Sequence, residues 1–531
     1  MTSELPVLIA GAGPTGLTLA CDLARRGIAC RIVDKAPALF PGSRGKGLQP
    51  RTLEVFDDLG VIDAVLEAGA PFPDFRMYRG TEVQWTRTVH RMLGVRRPDP
   101  GVGVPYPDIW LLPQWRTDRI LRDRFEELGG SVEFSTEMVD FEQDAEGVTA
   151  VLEHAGRRER VRARYLVGAD GGRSLVRKRL GVGFEGETFE TERTLIGDVR
   201  AEGLSGTYCH ILTTGDVTER FSLWSLPGTD YYQFVATVAT DDVPELTVES
   251  IQKLLDERSG RADIALTDLR WASLYRVNAR MVDRFRVGRV LLAGDAAHTH
   301  SSASGQGLNT SVQDAYNLGW KLATVLGGGS DALLDTYEAE RFPVAAEVLG
   351  VSTRLHHRSF REARPDEPVE APDIFQLRLN YRGGPLAVDD RTEDLGLLAR
   401  GQRSRPAERV GPASEPGTVR AGDRAPDAHC GDTRLHDLFR GPHFTLLAFG
   451  ADVPAGMAGV DVHAYRIETL TSASGFAIAD RAGEAFRNYS ISPDGPGTLI
   501  LIRPDGYIGV VATDPGPVRD YLARVASPAT V

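Results

Sequence analysis

The chain has 531 residues, enough for three or four domains of about 150 residues each. Hydrophobic residues make up 42% and charged residues 25%, which excludes a wholly disordered, collagen-like or coiled-coil chain. A net charge of −13 repels phosphate backbones, so no nucleic-acid partner is expected, and four cysteines without a CxxC pair fit a reducing cytoplasm.

The N-terminus carries no Lys or Arg ahead of its apolar run, so no secretory signal is expected. Leu5–Ala10 is a continuous apolar run ending at glycine, which predicts a strand buried on both faces. Leu17, Ala20, Leu23 and Ala24 recur at helical spacing as far as Gly27, and Ile32-Val33 makes a second strand closed by Asp34. Glycines break the long uncharged stretch Leu5–Cys21, so it does not read as a bilayer span, and no membrane partner is expected.

Between that strand and helix stands Gly11-Ala-Gly13-Pro14-Thr15-Gly16, in the context a dinucleotide fingerprint requires. Gly11 permits the tight turn, Gly13 lets backbone approach a pyrophosphate, and Gly16 lets helix and strand pack closely. The helix N-terminus offers N–H groups to a diphosphate, and Asp34 stands where a carboxylate can accept from a ribose. The fingerprint alone does not choose between NAD and FAD.

Residues 71–107 are rich in aromatics, arginine and proline. A helix is predicted at about Arg116–Leu128, with strands near Val132–Phe141 and Val148–Leu152. Tyr165–Val167 is another apolar strand, running into Gly168-Ala169-Asp170-Gly171. FSLWSL at 221–226 and YYQFVATVA at 231–239 predict an antiparallel sheet between Thr194 and Leu274. Val290–Leu292 returns to a buried-strand pattern before Gly294-Asp295, and a long helix is predicted over Thr310–Leu326. Residues 361–425 have the Arg, Pro, Glu and Gly content of a connector, and a third region follows with strands at 444–449 and 498–503. The chain shows no internal repeat.

Two further motifs follow apolar strands: Gly168-Ala-Asp170-Gly-Gly-Arg-Ser-x-x-Arg177 and Gly294-Asp295-Ala-Ala-His298. With the fingerprint they make residues 1 to about 350 resemble the FAD-dependent aromatic hydroxylases. Within that group the chain resembles the phenol 2-monooxygenase branch. The match runs through Gly47-Leu-Gln-x-Arg-Thr-Leu-Glu54, Gly305-Gln306-Gly307-Leu308-Asn309, Asp314-x-Tyr-Asn-Leu-Gly-Trp320, Thr336-Tyr-Glu-x-Glu-Arg341 and Arg503-Pro-Asp-Gly-Tyr507.

The resemblance implies an α/β fold with a Rossmann-like FAD-binding domain over 1–75, 105–180 and 276–360. It implies a substrate-binding sheet domain over 76–104 and 181–275, a connector over 361–405 and a thioredoxin-like domain over 406–531. Cys430 is the sole cysteine of that last region, so a thiol redox site is not expected there.

By the same resemblance FAD binds noncovalently. Asp34 with its neighbour Lys35 meets the adenosine ribose, and Arg44, Gly45 and Lys46 lie along the pyrophosphate and flavin edge. Gln114 contacts the cofactor, Asp295 holds the ribityl chain, and backbone from Gly305 to Asn309 faces the flavin ring. Asp170 belongs to the motif tied to FAD and NAD(P)H handling; as a residue it equally suits a helix cap. Tyr275 aligns with the tyrosine that touches flavin and substrate.

Lys46 departs from the branch, which has a catalytic aspartate there, and Ser302 and Ser304 replace a proline and a small residue. A lysine is not the same base at neutral pH unless burial lowers its pKa, but it pairs naturally with an anionic substrate. The implied reaction is NADPH- or NADH- and O2-dependent hydroxylation of a phenolic or polycyclic aromatic substrate through a flavin C4a-hydroperoxide. Baeyer–Villiger or epoxidising chemistry on a natural-product ketone or quinone is the alternative, and an FAD-binding protein without turnover the second. No metal is expected at His298 and His300, and a homodimer is compatible with the resemblance.

Overall fold

The computed structural model describes residues 5–98, 103–216, 219–238, 244–300, 305–361, 374–391, 419–455, 460–469 and 477–526, without the side chains of 188–192, 275–277 and 351–361. Leu5–Ala10 (β1) leads into Pro14–Arg25 (α1) and back through Cys30–Val33 (β2), which pairs parallel to β1. Val7, Leu8 and Ile9 are fully buried. Each such side chain contributes roughly 1.5–3 kcal/mol, so the run has no polar face to spare.

The chain then leaves for a second sheet at Asp74–Arg79 (β3) and returns by Gln114–Glu127 (α2). The strand expected over Val132–Phe141 is split into Val132–Glu133 and Thr136–Gln143. Ser135 between them has φ +53, which breaks the extended backbone. Arg157–Gly168 (β4) lies parallel to β1, and the short helix Leu175–Leu180 (α3) follows its glycine turn.

Phe184–Glu202 (β5), Tyr208–Thr213 (β6), Phe221–Ser225 (β7), Tyr231–Val238 (β8) and Ala265–Val282 (β9) build the second sheet. Its eight strands run β9-β5-β8-β7-β6-β3, with His298–Thr299 at the β9 edge and Glu82–Arg87 at the β3 edge. Antiparallel pairing was the expectation, and it holds except at β6, which pairs parallel with β3. That strand arrives from a distant part of the chain, where no hairpin imposes the opposite direction.

Val290–Leu292 (β10) rejoins the first sheet parallel to β4. Gly307–Leu326 (α4) starts three residues earlier than the apolar pattern alone predicts, so the Gly307-Leu308-Asn309 motif is its first turn. Asp335–Arg361 (α5) packs beside it. Of the connector expected over 361–405, Arg361 and residues 374–391 are described.

The last region holds Phe444–Phe449 (β11), Val462–Glu468 (β12), Thr498–Ile502 (β13), Ile508–Ala512 (β14) and Pro515–Ala526 (α6). β11 and β12 are parallel, while β13 and β14 form an antiparallel pair against β11. Cys430 is buried and its thiol is pushed up to about 12, so it is not a thiolate at neutral pH. Cys430→Ser is therefore expected to leave the rate of flavin reduction by NADPH unchanged, as a stopped-flow trace at 450 nm would show; a large loss would assign the domain a redox role.

This region is tied to α4 and α5 by a buried ionic cluster. Glu340 accepts from both terminal nitrogens of Arg503 (2.6 and 2.9 Å), from Lys321 Nζ (2.7 Å) and from Asn317 Nδ2 (2.8 Å). Asp505 accepts from Arg503 and from the Trp320 indole.

Candidate active site

β1, β4 and β10 end side by side at Ala10, Gly168 and Leu292, so three glycine-rich turns leave the sheet at one crevice. This is the place where open α/β sheets bind ligands. Gly11 takes φ +106, and a Cβ there would lie 2.3 Å from the Ala169 carbonyl oxygen, within the second motif. A Cβ at Gly16 would fall 2.0 Å from the Gly11 carbonyl oxygen, and one at Gly294 would fall 2.4 Å from Thr15 Oγ1. The three motifs thus touch through positions where only glycine fits. Gly13 is different: nothing lies within 4 Å of its would-be Cβ, which faces open space at the start of α1. Pro14 opens that helix, and no side chain caps its first-turn N–H groups. An anion is the natural acceptor for them.

Around the crevice the side chains are already braced. The Asp34 carboxylate accepts from the N–H groups of Ala12 and Ala36, both at 2.8 Å, while Lys35 beside it is exposed. Gln114 Oε1 accepts from the Gly45 N–H (3.1 Å), which fixes the loop over the crevice. Four residues along the same helix, burial pushes the Asp118 carboxyl well up, and the Gln114 amide leans on it at 3.4 Å. Asn309 takes the Gln49 N–H on its carbonyl and donates to the Gly47 and Gly305 carbonyls, all at 2.8 Å. Leu308 packs under Gly45, and Gln306 donates to the Ile374 carbonyl.

Asp295 is open to the crevice yet surrounded by protein, and that burial pushes its carboxyl up against the pull of His298 and Arg44. Arg44 is exposed, its guanidinium over the Phe40 ring at 4.8 Å. His298 is itself held by Asp314 (2.6 Å), whose other oxygen takes Arg341 Nε (2.7 Å). Asp170 accepts from the N–H groups of Leu175 and Val176 and so caps α3, while its second oxygen has no partner. Its geometry favours the capping role over direct cofactor contact.

At the far end of the loop Lys46 Nζ donates to Gln233 Oε1 and sits 3.8 Å from the Trp224 ring centroid. Burial lowers its pKa to about 8, while Cys209 and Asp198 pull the other way. Trp224 belongs to an apolar cluster with Phe72, Phe75, Met77 and Phe375. Phe72 and Phe75 both meet it edge-on, at 5.8 and 5.1 Å. The loop therefore joins a cofactor cradle on one side to an aromatic wall on the other.

A family profile described as FAD binding domain matches residues 4–352. The chain belongs to this FAD-binding family. It is 57% identical over 523 residues to a flavin-dependent monooxygenase of Mycobacteroides abscessus, covering 98% of this chain and 100% of that one. It is 35% identical over 524 residues to 6-methylpretetramide 4-monooxygenase of Streptomyces rimosus, covering 94% of this chain and 90% of that one. The crystal structure of aklavinone-11 hydroxylase with FAD and aklavinone superposes with a TM-score of 0.81 at 27% identity, over 99% of this chain and all of that one. The chain is an FAD-dependent monooxygenase.

The residues of this monooxygenase fit the cofactor. The open space over Gly13, the uncapped helix start and the crevice-facing Asp295 each leave room or polarity that FAD would use. Of the expected site residues, the structure gathers Gly11 to Gly16, Asp34, Arg44 to Lys46, Gln114, Asp295 and Gly305 to Asn309 around one crevice. Tyr275 pairs with Thr194 in the β5–β9 ladder, but its side chain lies outside the described ones, as do Ser302 and Ser304. Sequence reasoning missed Asp198, Gln233, Trp224 and Trp271. Each stands alone in its strand, and only strand pairing shows that they belong together.

Proposed function

We propose that this monooxygenase hydroxylates a fused-ring phenolic or enolic substrate, with NADPH or NADH as reductant. The observation that carries this reading is Lys46, a partly desolvated amine set between the cofactor loop and the aromatic wall of Trp224, Phe72 and Phe75. Flat rings pack edge-on or offset against such walls, and a cation at one end selects a ring that bears negative charge. The names of relatives agree in kind: a pretetramide monooxygenase, an aklavinone hydroxylase and a pentachlorophenol monooxygenase.

When bound, FAD accepts hydride from the nicotinamide and activates dioxygen, one atom of which enters the ring while the other leaves as water. The rest falls to the chain. Gly11 to Gly16 and Asp34 hold the dinucleotide, Gln114 and Asn309 fix the loop, and the wall orients the ring and excludes water. Lys46 favours the oxyanion form of the substrate hydroxyl, which makes the ring more electron-rich.

The last region is read as thioredoxin-like, supported by its parallel β11–β12 pair, its β13–β14 hairpin and α6. A homodimer in the cytoplasm completes the proposal. No helix among the described residues is long and apolar enough to cross a membrane.

The protein is expected to purify yellow with one noncovalent FAD per chain, counted by absorbance after denaturation. It should then oxidise NADPH faster when a phenol or fused-ring hydroxyquinone is added, and place one atom of 18O2 in a new ring hydroxyl. Colourless protein that FAD does not reconstitute would sink the reading. Labelled lactone or epoxide in place of a phenol would move it to the alternative chemistry.

A further inference from the structure

One row of side chains crosses the second sheet beneath the flavin loop. Trp271, Asp198, Gln233, Trp224 and Cys209 are direct partners on β9, β5, β8, β7 and β6. Residues directly opposite one another share a face of the sheet. The loop follows this row. A Cβ at Gly42 would strike the Trp271 ring at 2.0 Å, the Ser43 carbonyl accepts from Gln233 Nε2, and Lys46 meets both Gln233 Oε1 and the Trp224 ring. Since the Ser43 carbonyl takes a hydrogen bond only from a donor, the Gln233 amide has one workable orientation, and it turns Oε1 to the lysine.

Asp198 is the anomaly in the row. It is fully buried, and neither carboxylate oxygen has a hydrogen-bond partner. Burial pushes it up to about 6, while the Trp271 indole, the Ser43 hydroxyl, Lys46 and Arg270 pull it down. Ser43 and Trp271 are near enough to act on it without closing a well-formed bond. A carboxylate so placed is costly unless a cation answers it. The cation nearest in this row is Lys46, one glutamine away. Cys209 on its other side is a neutral thiol, pushed up to about 12 by burial. Near pH 7 Asp198 therefore favours the ammonium form of Lys46 against the burial that opposes it, so that the minority of free amine holds a proton firmly once it has taken one.

We propose that Asp198 is the positioning residue that sets the proton balance of Lys46, so that Lys46 takes the proton of an acidic phenolic or enolic hydroxyl and stays beside the oxyanion as its ammonium partner. The O–H bond of the substrate breaks as an N–H bond forms at Nζ, and no electrons change hands. The branch's aspartate is thus replaced by a lysine whose counter-charge lies in the sheet behind it. The inference rests on the reading that Lys46 faces the substrate.

Trace labelling with acetic anhydride across pH, resolved by peptide mass spectrometry, titrates each lysine of the FAD-loaded protein without any substrate. The chain has five: Lys35, Lys46, Lys178, Lys253 and Lys321. Asp198→Asn is expected to lower the Lys46 midpoint by about one pH unit against Lys253 as internal reference, because the anion that favours the ammonium is gone. Lys46→Met, a change on a loop, tests the reverse. Asp198 loses one of its two cations, with Arg270 remaining, and takes up more proton at pH 7, adding a carboxylic C=O stretch to the infrared spectrum that a Lys46→Met/Asp198→Asn double variant lacks. An unmoved Lys46 midpoint in Asp198→Asn, or no acid band in Lys46→Met, overturns the proposal. If both hold while no phenol or fused-ring hydroxyquinone is hydroxylated, the coupling stands and the failure belongs to the proposed function.

Discussion

Glu340→Ala is expected to be the most destabilising single change in the chain outside the glycine turns, at about 3–5 kcal/mol. Glu340 is wholly buried and accepts from Arg503, Lys321 and Asn317. Burial alone would push its carboxyl up, but Arg503 and Lys321 prevail and hold it below the ordinary glutamate range. Its contribution is thus complete above the unfolded glutamate value, near 4.5, and fades as pH falls below it. Removing it leaves Arg503 with Asp505 alone and Lys321 with no carboxylate in contact. Burial has already lowered Lys321 to about 8, so the lysine sheds its proton and part of the cost with it. Arg503 has no such escape, since a guanidinium keeps its proton. The measurement is a thermal melt at fixed FAD excess, because bound cofactor itself raises the midpoint. Lys253→Ala, which breaks an exposed pair with Glu257, is the control and should cost under about 1 kcal/mol. A Glu340→Ala midpoint within a degree of wild type would show that the last region does not lean on this cluster.

That cluster also shows what a sequence does and does not disclose. Arg503-Pro-Asp-Gly-Tyr507 is conspicuous as a motif, yet its partner Glu340 lies 163 residues away, so the reason for the motif appears only with the fold. The three glycine turns are legible because each works locally: strand, tight turn and helix stand within a few residues, and the glycines carry the steric demand themselves. Asp170 was legible in both its roles, and the short helix after it favours the cap. The start of α4 was hidden because the apolar pattern sets in at Thr310, whereas the helix opens with the Gly307-Leu308-Asn309 motif, whose Leu308 packs under Gly45. The row from Trp271 to Cys209 was invisible for a different reason. Strand alternation places each residue on a face, but register decides which face and which neighbour, and a slip of one residue would reverse every assignment.

Lys46→Ala is expected to weaken binding of the ring substrate by roughly 10- to 100-fold, the loss of one charge-assisted contact, and to divert reducing equivalents to hydrogen peroxide. FAD is expected to remain bound. Lys46 touches Gln233 and Trp224, whereas the cradle is held by Gly45, Gln114, Asp34 and Asn309. In the wild type the second-order rate for the substrate should rise with pH and level off near 8. Below that value the amine that accepts the hydroxyl proton is scarce, at about a tenth of the population at pH 7. In Lys46→Ala that limb disappears and only the titration of the substrate itself remains. Lys46→Asp restores an acceptor, which the same burial and the neighbouring Asp198 push above the ordinary carboxylate range, so some turnover of simple phenols should return, while fused-ring oxyanions are repelled. The ratio of NADPH consumed to product formed, taken with the pH profile, separates this from a structural effect. A truncated loop residue that merely loosened the fold would lower FAD occupancy as well, and the limb near pH 8 would persist in whatever activity was left.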